Sequence, residues 1–363
     1  MADDGDGGAD SGLRHGVWAE QDTTPAHIEA ALRELLKERH AENHGYVPAR
    51  VLNLVVVVDK EWRGEIENRL ERVGRYHPSR TVVCAVEPGR TQLDAWASLS
   101  AEGDPKPGSF CVAHEHVVIE VGPQHLAHLD TIVDPLVITD LSTVVWSPHG
   151  HQEGIDSLGR LAQVVLLDSV DEPDTHQALA RSQELAEWAY VVDLAWLRST
   201  PWRERIAASF DPPVWRAELG AIASVTVRYR PDSTVAALLL LGWLAARLGW
   251  RPEAMTAGGN EMRGRARAPR QEVTLSLCPE ERMSVPGLAG LTIETASGMA
   301  LSLDRGEGGL AATRRDRKGR ESRWTVLGAS RGEAGILGEG IRQALLRDPT
   351  YRQALAAADA MVP

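Results

Sequence analysis

The run Val51-Leu52-Asn53-Leu54-Val55-Val56-Val57-Val58 constrains this chain more than any other stretch. It is almost continuously apolar and rich in β-branched residues, with no polar side to offer water. That pattern predicts a strand covered on both faces, as in a parallel sheet. The neighbouring sequence agrees. Trp62, Ile66, Leu70 and Val73 recur at helical spacing, and Thr81 to Val86 is a second β-branched run. Strand, helix and strand within one βαβ length predict an open α/β sheet. Further strands are expected at Cys111–Val121, Ser142–Trp146 and Gln163–Leu167, and helices near 124–134, 154–161 and 174–189. Upstream, Thr24-Pro25 caps a helix whose Ile28, Leu32, Leu35 and Leu36 form one stripe.

The Asp211-Pro212-Pro213 break removes donors and holds the backbone extended, so it predicts a boundary. Beyond it, Ile222 to Tyr229 alternates like a strand, and Asp232-Ser233 opens a helix that stops at Gly249. Short strand-like runs follow near 272–278, 290–295, 299–304 and 309–327, the last a hairpin, then helices near 333–347 and 350–360. Their close spacing predicts antiparallel pairing. The fold class expected is therefore α/β: an open, mostly parallel sheet domain followed by a smaller α+β domain with antiparallel strands. The expected divisions are a disordered acidic tail at 1–23, an α/β domain at 24–210 and an α+β domain at 214–363.

Composition narrows the function classes. Hydrophobic residues make up 43% of the 363 and charged ones 25%, which suits a globular chain with a real core. A net charge of −12 repels a nucleic-acid backbone, and no basic stripe with interleaved aromatics offsets it, so no nucleic-acid partner is expected. The densest basic run, Arg314 to Arg320, is expected as a solvated hairpin tip. The longest apolar run, Val235 to Ala246, falls short of the roughly 20 residues that cross a bilayer, so no membrane span is expected. Three scattered cysteines make neither a disulfide framework nor a Cys-x-x-Cys metal site and fit a reducing cytoplasm.

Motifs for catalysis are missing. The first strand is not followed by Gly-x-Gly-x-x-Gly, and the chain has no Gly-x-x-x-x-Gly-Lys-Ser/Thr, His-Glu-x-x-His or Gly-x-Ser-x-Gly. No catalytic residue and no cofactor are expected. His114 and His116 share a strand face and His125 and His128 a helix face, so these four are the weak candidates for a metal, against the common case of unpaired surface histidines. Ser79 and Arg80 could take a phosphate, although their turn lies opposite the usual ligand end of an open sheet. His149 and His151 follow a strand at that ligand end, where loops are also simply loops.

One segment mixes two indoles, two guanidiniums and two carboxylates: Asp193-Leu194-Ala195-Trp196-Leu197-Arg198-Ser199-Thr200-Pro201-Trp202-Arg203-Glu204. Thr200-Pro201 reads as N-cap and first helical residue, and Trp202, Ile206 and Phe210 as one apolar face, with Arg203, Glu204 and Arg205 elsewhere. This wording resembles the signature of the OpcA family, the glucose-6-phosphate dehydrogenase assembly proteins. Further blocks resemble the family in the same order: Arg50 to Val56, His77-Pro78-Ser79-Arg80, Ile132 to Leu136, Asp140 to Trp146, and Leu241 to Trp250. The resemblance implies a non-catalytic accessory protein that binds glucose-6-phosphate dehydrogenase and promotes its active oligomer or activates it allosterically. On that footing Asp193, Trp196, Arg198, Trp202 and Arg203 are the partner-binding candidates, with core packing as the competing account. The effect is redox-sensitive in some relatives, which makes Cys84, Cys111 and Cys278 the redox candidates. The alternative class is a sugar-phosphate-binding module or enzyme using Ser79 and Arg80 or His149 and His151.

Overall fold

A computed structural model describes residues 16–42, 46–47, 50–74, 78–101, 111–306, 308–327 and 332–363. The chain forms two compact units, Met1–Gln163 and Val164–Pro363, so the division falls upstream of the Asp211-Pro212-Pro213 break.

The first unit is built on β1 (Gly16–Glu20), α1 (Pro25–Glu42), β2 (Tyr46–Val47), β3 (Leu52–Asp59), α2 (Arg63–Gly74), β4 (Ser79–Val86), β5 (Asp94–Ala101), β6 (Cys111–Val121), α3 (Leu129–Val133), β7 (Thr143–Trp146) and α4 (Gln152–Ser157). The strands lie in the order β1-β5-β6-β4-β3-β7, with β2 beside β6. The β6-β4-β3-β7 core is parallel, whereas β5 runs antiparallel to β6 and β1 antiparallel to β5. In β3 Leu52 to Val58 are all buried, as an apolar run in a covered parallel strand requires. Asn53 is the exception to that run, and the structure explains it. Its amide bonds the carbonyls of Ile138 and Leu141 and the Thr143 hydroxyl, and its oxygen accepts from the Ile138 N–H, so one side chain pins the loop entering β7. Residues 16–20 of the expected tail instead form β1, which pairs with Ala95–Leu99. Residues 1–15 lie outside the described residues.

The second unit comprises β8 (Val164–Leu167), α5 (Thr175–Trp188), β9 (Tyr190–Asp193), α6 (Leu194–Arg198), α7 (Thr200–Phe210), α8 (Pro213–Arg216), β10 (Ile222–Tyr229), α9 (Thr234–Leu248), β11 (Arg251–Pro252), β12 (Thr256–Gly258), β13 (Glu261–Arg267), β14 (Glu272–Pro279), β15 (Leu288–Thr295), β16 (Ala300–Gly306), β17 (Gly309–Arg315), β18 (Glu321–Leu327), α10 (Gly332–Leu346) and α11 (Tyr351–Asp359). β8 and β9 pair in parallel. A second, mixed sheet has the order β11-β13-β14-β10-β15-β16-β17-β18, with β12 beside β13. All of its pairs are antiparallel except β10 with β14, where α9 lies between the two strands in the chain and makes a parallel return possible. Residues 231–248 are long and apolar enough to pass for a membrane span, but most of that stretch is buried within the unit. Gly249, at φ 67°, closes α9 in the left-handed conformation.

Two caps differ from expectation. Ser199, not Thr200, holds the N-cap position of α7, and its hydroxyl bonds the Trp196 carbonyl instead of a helix amide. Ser233 precedes α9 but turns its hydroxyl to the Gly287 N–H and to Asp232. For Ser233 a tertiary partner outcompetes the helix amide, whereas Ser199 turns back to the preceding helix.

Candidate functional site

The segment 193–204 folds inward. Asp193 ends β9 and caps α6: Oδ1 accepts from the N–H groups of Ala195 at 2.9 Å and Ser169 at 3.2 Å, and Oδ2 from the Tyr351 hydroxyl at 3.3 Å. Burial, and after it the nearby Asp168, pushes the Asp193 carboxyl up to about 6. Arg198 forks onto Asp168 at 2.8 and 2.6 Å. Arg203 lies face-on over Trp196, 3.5 Å from the ring centroid, and donates to Ser199 Oγ, Thr200 Oγ1 and the Trp196 carbonyl. Burial pulls its guanidinium down to about 10, against the attraction of Asp348. Asp348 collects the other ends. It accepts the Trp196 indole N–H at 3.0 Å and Arg203 at 3.4 Å, and bonds Thr350 through both its N–H and its hydroxyl. Burial works to raise the Asp348 carboxyl, yet the bonds from Thr350 and Trp196 hold it below the usual range.

The side chains expected to face a partner are largely buried here. Trp196 and Trp202 are each 2% exposed, Asp193 1% and Arg203 8%, and both oxygens of Asp168 hold Arg198. In the folded chain these side chains pack its own interior, so core packing is the account the structure favours. Arg203, expected away from the apolar face, joins it because the Trp196 ring and a ring of acceptors repay its desolvation. Sequence reasoning missed Asp168, Asp348 and Tyr351, which close the knot from distant segments; the only signal was that buried Arg and indole N–H groups need acceptors.

In the first unit the C-terminal ends of the parallel strands form the usual ligand edge. Here β3 runs into Lys60-Glu61-Trp62, not a glycine turn. Lys60 Nζ lies 3.1 Å from Glu87 and 2.9 Å from Glu120, and Arg90 donates to Glu87, Asp94 and Glu120, each at 2.6 Å. Arg63 adds a contact to Glu120 at 3.4 Å. Three cations and three carboxylates thus neutralise one another across the ends of β3, β4 and β6. His149 packs on Trp62 with ring centroids 5.6 Å apart, and burial lowers its imidazole. His151 puts Nε2 3.1 Å from the Asp59 carboxylate, without hydrogen-bond alignment, and donates its N–H to Ser147 Oγ. The His149–His151 loop therefore does sit at the ligand edge, tied to Trp62 and Asp59.

Ser79 and Arg80 start β4, at the opposite edge. Arg80 donates to Glu115 at 2.6 Å and to the Leu136 carbonyl at 2.9 Å; Arg50 shares Glu115, and Ser79 Oγ bonds Thr81. The Arg80 Nε–H and one of its Nη groups are thus already engaged within the chain.

The four histidines do not assemble. Among the described residues no group of three or more His, Cys, Asp or Glu is placed to hold a metal. His125 Nδ1 accepts the Gly122 N–H, and His116 faces Glu67 at 4.0 Å, while burial pushes its imidazole down to about 4. Sheet position separates His114 and His116 from the turn that carries His125 and His128. Cys84 is buried in β4 and burial pushes its thiol up to about 12; Cys278 is half-buried and also raised, by burial first and then Glu261. Both thiols are thereby disfavoured as nucleophiles. Cys111 pairs through its backbone with Tyr46, and its side chain lies outside the described residues.

With the geometry in hand, comparison with known proteins is informative. The chain matches the family described as glucose-6-phosphate dehydrogenase subunit N-terminal domain over residues 70–184, and the one described as its C-terminal domain over 189–355. It is 26% identical over 210 residues to the OxPP cycle protein OpcA of Synechococcus elongatus, covering 56% of this chain and 47% of that protein. To the protein of the same name from Nostoc punctiforme it is 28% identical over 167 residues, covering 45% and 35%. These matches span about half or less of the relatives' lengths. Among solved structures, an oxidoreductase from Sinorhizobium meliloti aligns at a TM-score of 0.47 and 12% identity, covering 86% of this chain and 96% of that one. The myo-inositol 2-dehydrogenase from Lactobacillus plantarum aligns at 0.46 and 10%, covering 85% and 94%. Likeness of that degree assigns no chemistry.

Proposed function

Because this chain belongs to the OpcA family of glucose-6-phosphate dehydrogenase assembly proteins, we propose that it is a non-catalytic accessory protein of the oxidative pentose phosphate pathway. It binds glucose-6-phosphate dehydrogenase and shifts that enzyme toward its active assembly by preferring one state of it. The observation that carries this reading is the pair of family matches, N-terminal then C-terminal in chain order, over residues 70–184 and 189–355. Support also comes from the ligand edge of the parallel sheet. Lys60, Arg90 and Arg63 are spent there on Glu87, Asp94 and Glu120, and β3 leads into Trp62 without the glycines a pyrophosphate needs.

The test is co-purification of this chain with its cognate dehydrogenase, followed by the dehydrogenase rate at low substrate with the chain in saturating excess. The expected result is a stable complex and a higher rate. A complex without a rate change would reduce the chain to a scaffold, and no complex would refute the reading. Thermal shift separates the alternative class: a 6-phosphosugar that stabilises the chain alone would favour a ligand site over a protein-only effector.

A further inference from the structure

The two faces of the mixed sheet differ in character. On one, Val225, Val227, Leu291, Ile293, Leu301 and Leu303 are fully buried. The alternate residues of the same strands point the other way, and Thr226, Thr274, Ser276, Thr292, Ser302 and Thr313 all keep contact with water. That open face carries a row of short hydroxyls in register. Ser276 of β14, Thr226 of β10, Thr292 of β15, Ser302 of β16 and Thr313 of β17 stand side by side across five strands. The row ends alike on both sides. Arg263 of β13 lies beyond Ser276 and Arg323 of β18 beyond Thr313, and each arginine holds the glutamate two residues before it, Glu261 at 2.8 Å and Glu321 at 3.0 Å. In either direction the row runs Arg–Glu, five hydroxyls, Arg–Glu.

Neighbouring positions keep this face low. Arg228 of β10 lies over Gly290 of β15, where any Cβ would collide with its guanidinium, and so reaches Asp304 of β16, two strands away. Glycine at 290 thus lets a long cation lie along the sheet instead of projecting from it. Ala300 and Ala311 share the face on β16 and β17. The charges are also settled within it, since Arg228, Arg263, Arg265 and Arg323 each hold a carboxylate of the same face.

The plain account is an ordinary solvent face, because antiparallel sheets turn polar residues to water and threonine suits strands. That account gives no reason for the matching ends or for the arginine laid flat. We infer that this face docks onto the same face of a second copy of the chain, about a two-fold axis that runs along the strands past Thr292. A hydroxyl both donates and accepts, so hydroxyls meet their own copies without conflict. Under such an axis the Arg263–Glu261 end of one copy meets the Arg323–Glu321 end of the other. Charges paired within the face spare the two copies the repulsion that a net charge of −12 would otherwise bring. Strands β13 to β18, with β10 among them, span roughly 33 Å by 24 Å, on the order of the ~800 Å² that each partner gives to a standard interface.

Sedimentation equilibrium of the full chain alone, over a concentration series, tests this whether or not the proposed function holds. Wild type is compared with Thr226→Arg, Thr292→Arg and Thr292→Ser, with near-ultraviolet circular dichroism confirming the fold. Both threonines are half-exposed, so an arginine finds room in the single chain. A wild-type dimer whose self-association weakens about a hundred-fold or more in both arginine variants, as like charges meet near the axis, and holds in Thr292→Ser supports the inference. A wild type that stays monomeric, or a dimer that all three variants leave unchanged, overturns it. So does a monomeric wild type whose affinity for the dehydrogenase falls in the arginine variants, which would give the face to that enzyme.

Discussion

Asp193 holds its carboxyl where water does not reach, and the consequence is a pH dependence with a definite sign. Burial, then Asp168, raises the group to about 6, whereas the unfolded chain releases that proton near 3.8. Between those values folding takes up a proton, so the contribution of Asp193 to stability falls as pH rises and is level above about 6. A gap of about two pH units corresponds to roughly 3 kcal/mol. Asp193→Asn keeps an acceptor for the Ala195 and Ser169 amides and removes the titration. Relative to that variant, wild type should lose up to about 3 kcal/mol of stability between pH 4 and pH 6, read by urea unfolding at each pH. Parallel curves would refute the assignment. His116 runs the other way. Its imidazole is pushed down to about 4 by burial, then by Arg63, so the folded chain refuses a proton that the unfolded chain takes near 6.5. Its stabilising contribution is complete above 6.5 and lost as pH falls through 4, and His116→Gln should flatten that limb of the acid-unfolding curve. Cys84, pushed up to about 12, should resist a thiol-reactive dye until urea unfolds the chain, and labelling at the rate of a free thiol under native conditions would restore it as a redox candidate.

Helix α9 meets α11 at Gly242, where a Cβ would stand 2.2 Å from the Ala354 carbonyl oxygen and 2.9 Å from the Ala358 nitrogen. Both obstacles are backbone, so the helices must separate to admit a methyl group. Alanine gains about 1 kcal/mol of helix propensity over glycine, yet overpacking costs about 1–3 kcal/mol, and the clash decides the sign. Gly242→Ala should therefore lower the midpoint of thermal unfolding. Gly64→Ala in α2 meets nothing within 4 Å and should be neutral or stabilising. An equal response from both would mean that α9 and α11 do not approach this closely. Helix contacts of this kind are hard to read from sequence, whereas elements that carry their own period are easy. The β3 and β4 runs, the α7 face of Trp202, Ile206 and Phe210 and the β17–β18 hairpin were legible because burial imposes its pattern locally. β1 and β5 were not, because Gly16–Glu20 and Asp94–Ala101 mix small and charged residues and become strands only by pairing with each other and with β6. β13 is likewise masked by its arginines. At the candidate site the indoles and guanidiniums of 193–204 were visible in the sequence, but their acceptor Asp348, 145 residues beyond Arg203, was not.

Under the proposed accessory role the chain acts only through its folded fraction, and this makes a whole-molecule test of the 193–204 segment possible. Trp202 is 2% exposed, so Trp202→Ala leaves a cavity costing about 3–5 kcal/mol, a large part of the 5–15 kcal/mol that usually holds a domain together. If the proposed function holds, a loss of effect on the dehydrogenase in that variant is thus expected from unfolding alone. The discriminating measurement is the effect per folded molecule. Across a temperature series, the rate enhancement given by Trp202→Ala should track its folded fraction, taken from near-ultraviolet circular dichroism, and equal that of wild type wherever the fractions are equal. Because the Trp202 ring is inside the chain, removing it takes nothing from a surface that a partner touches. A fully folded Trp202→Ala that still fails to act would place the ring at the interface after all, by way of a rearrangement that exposes it on binding.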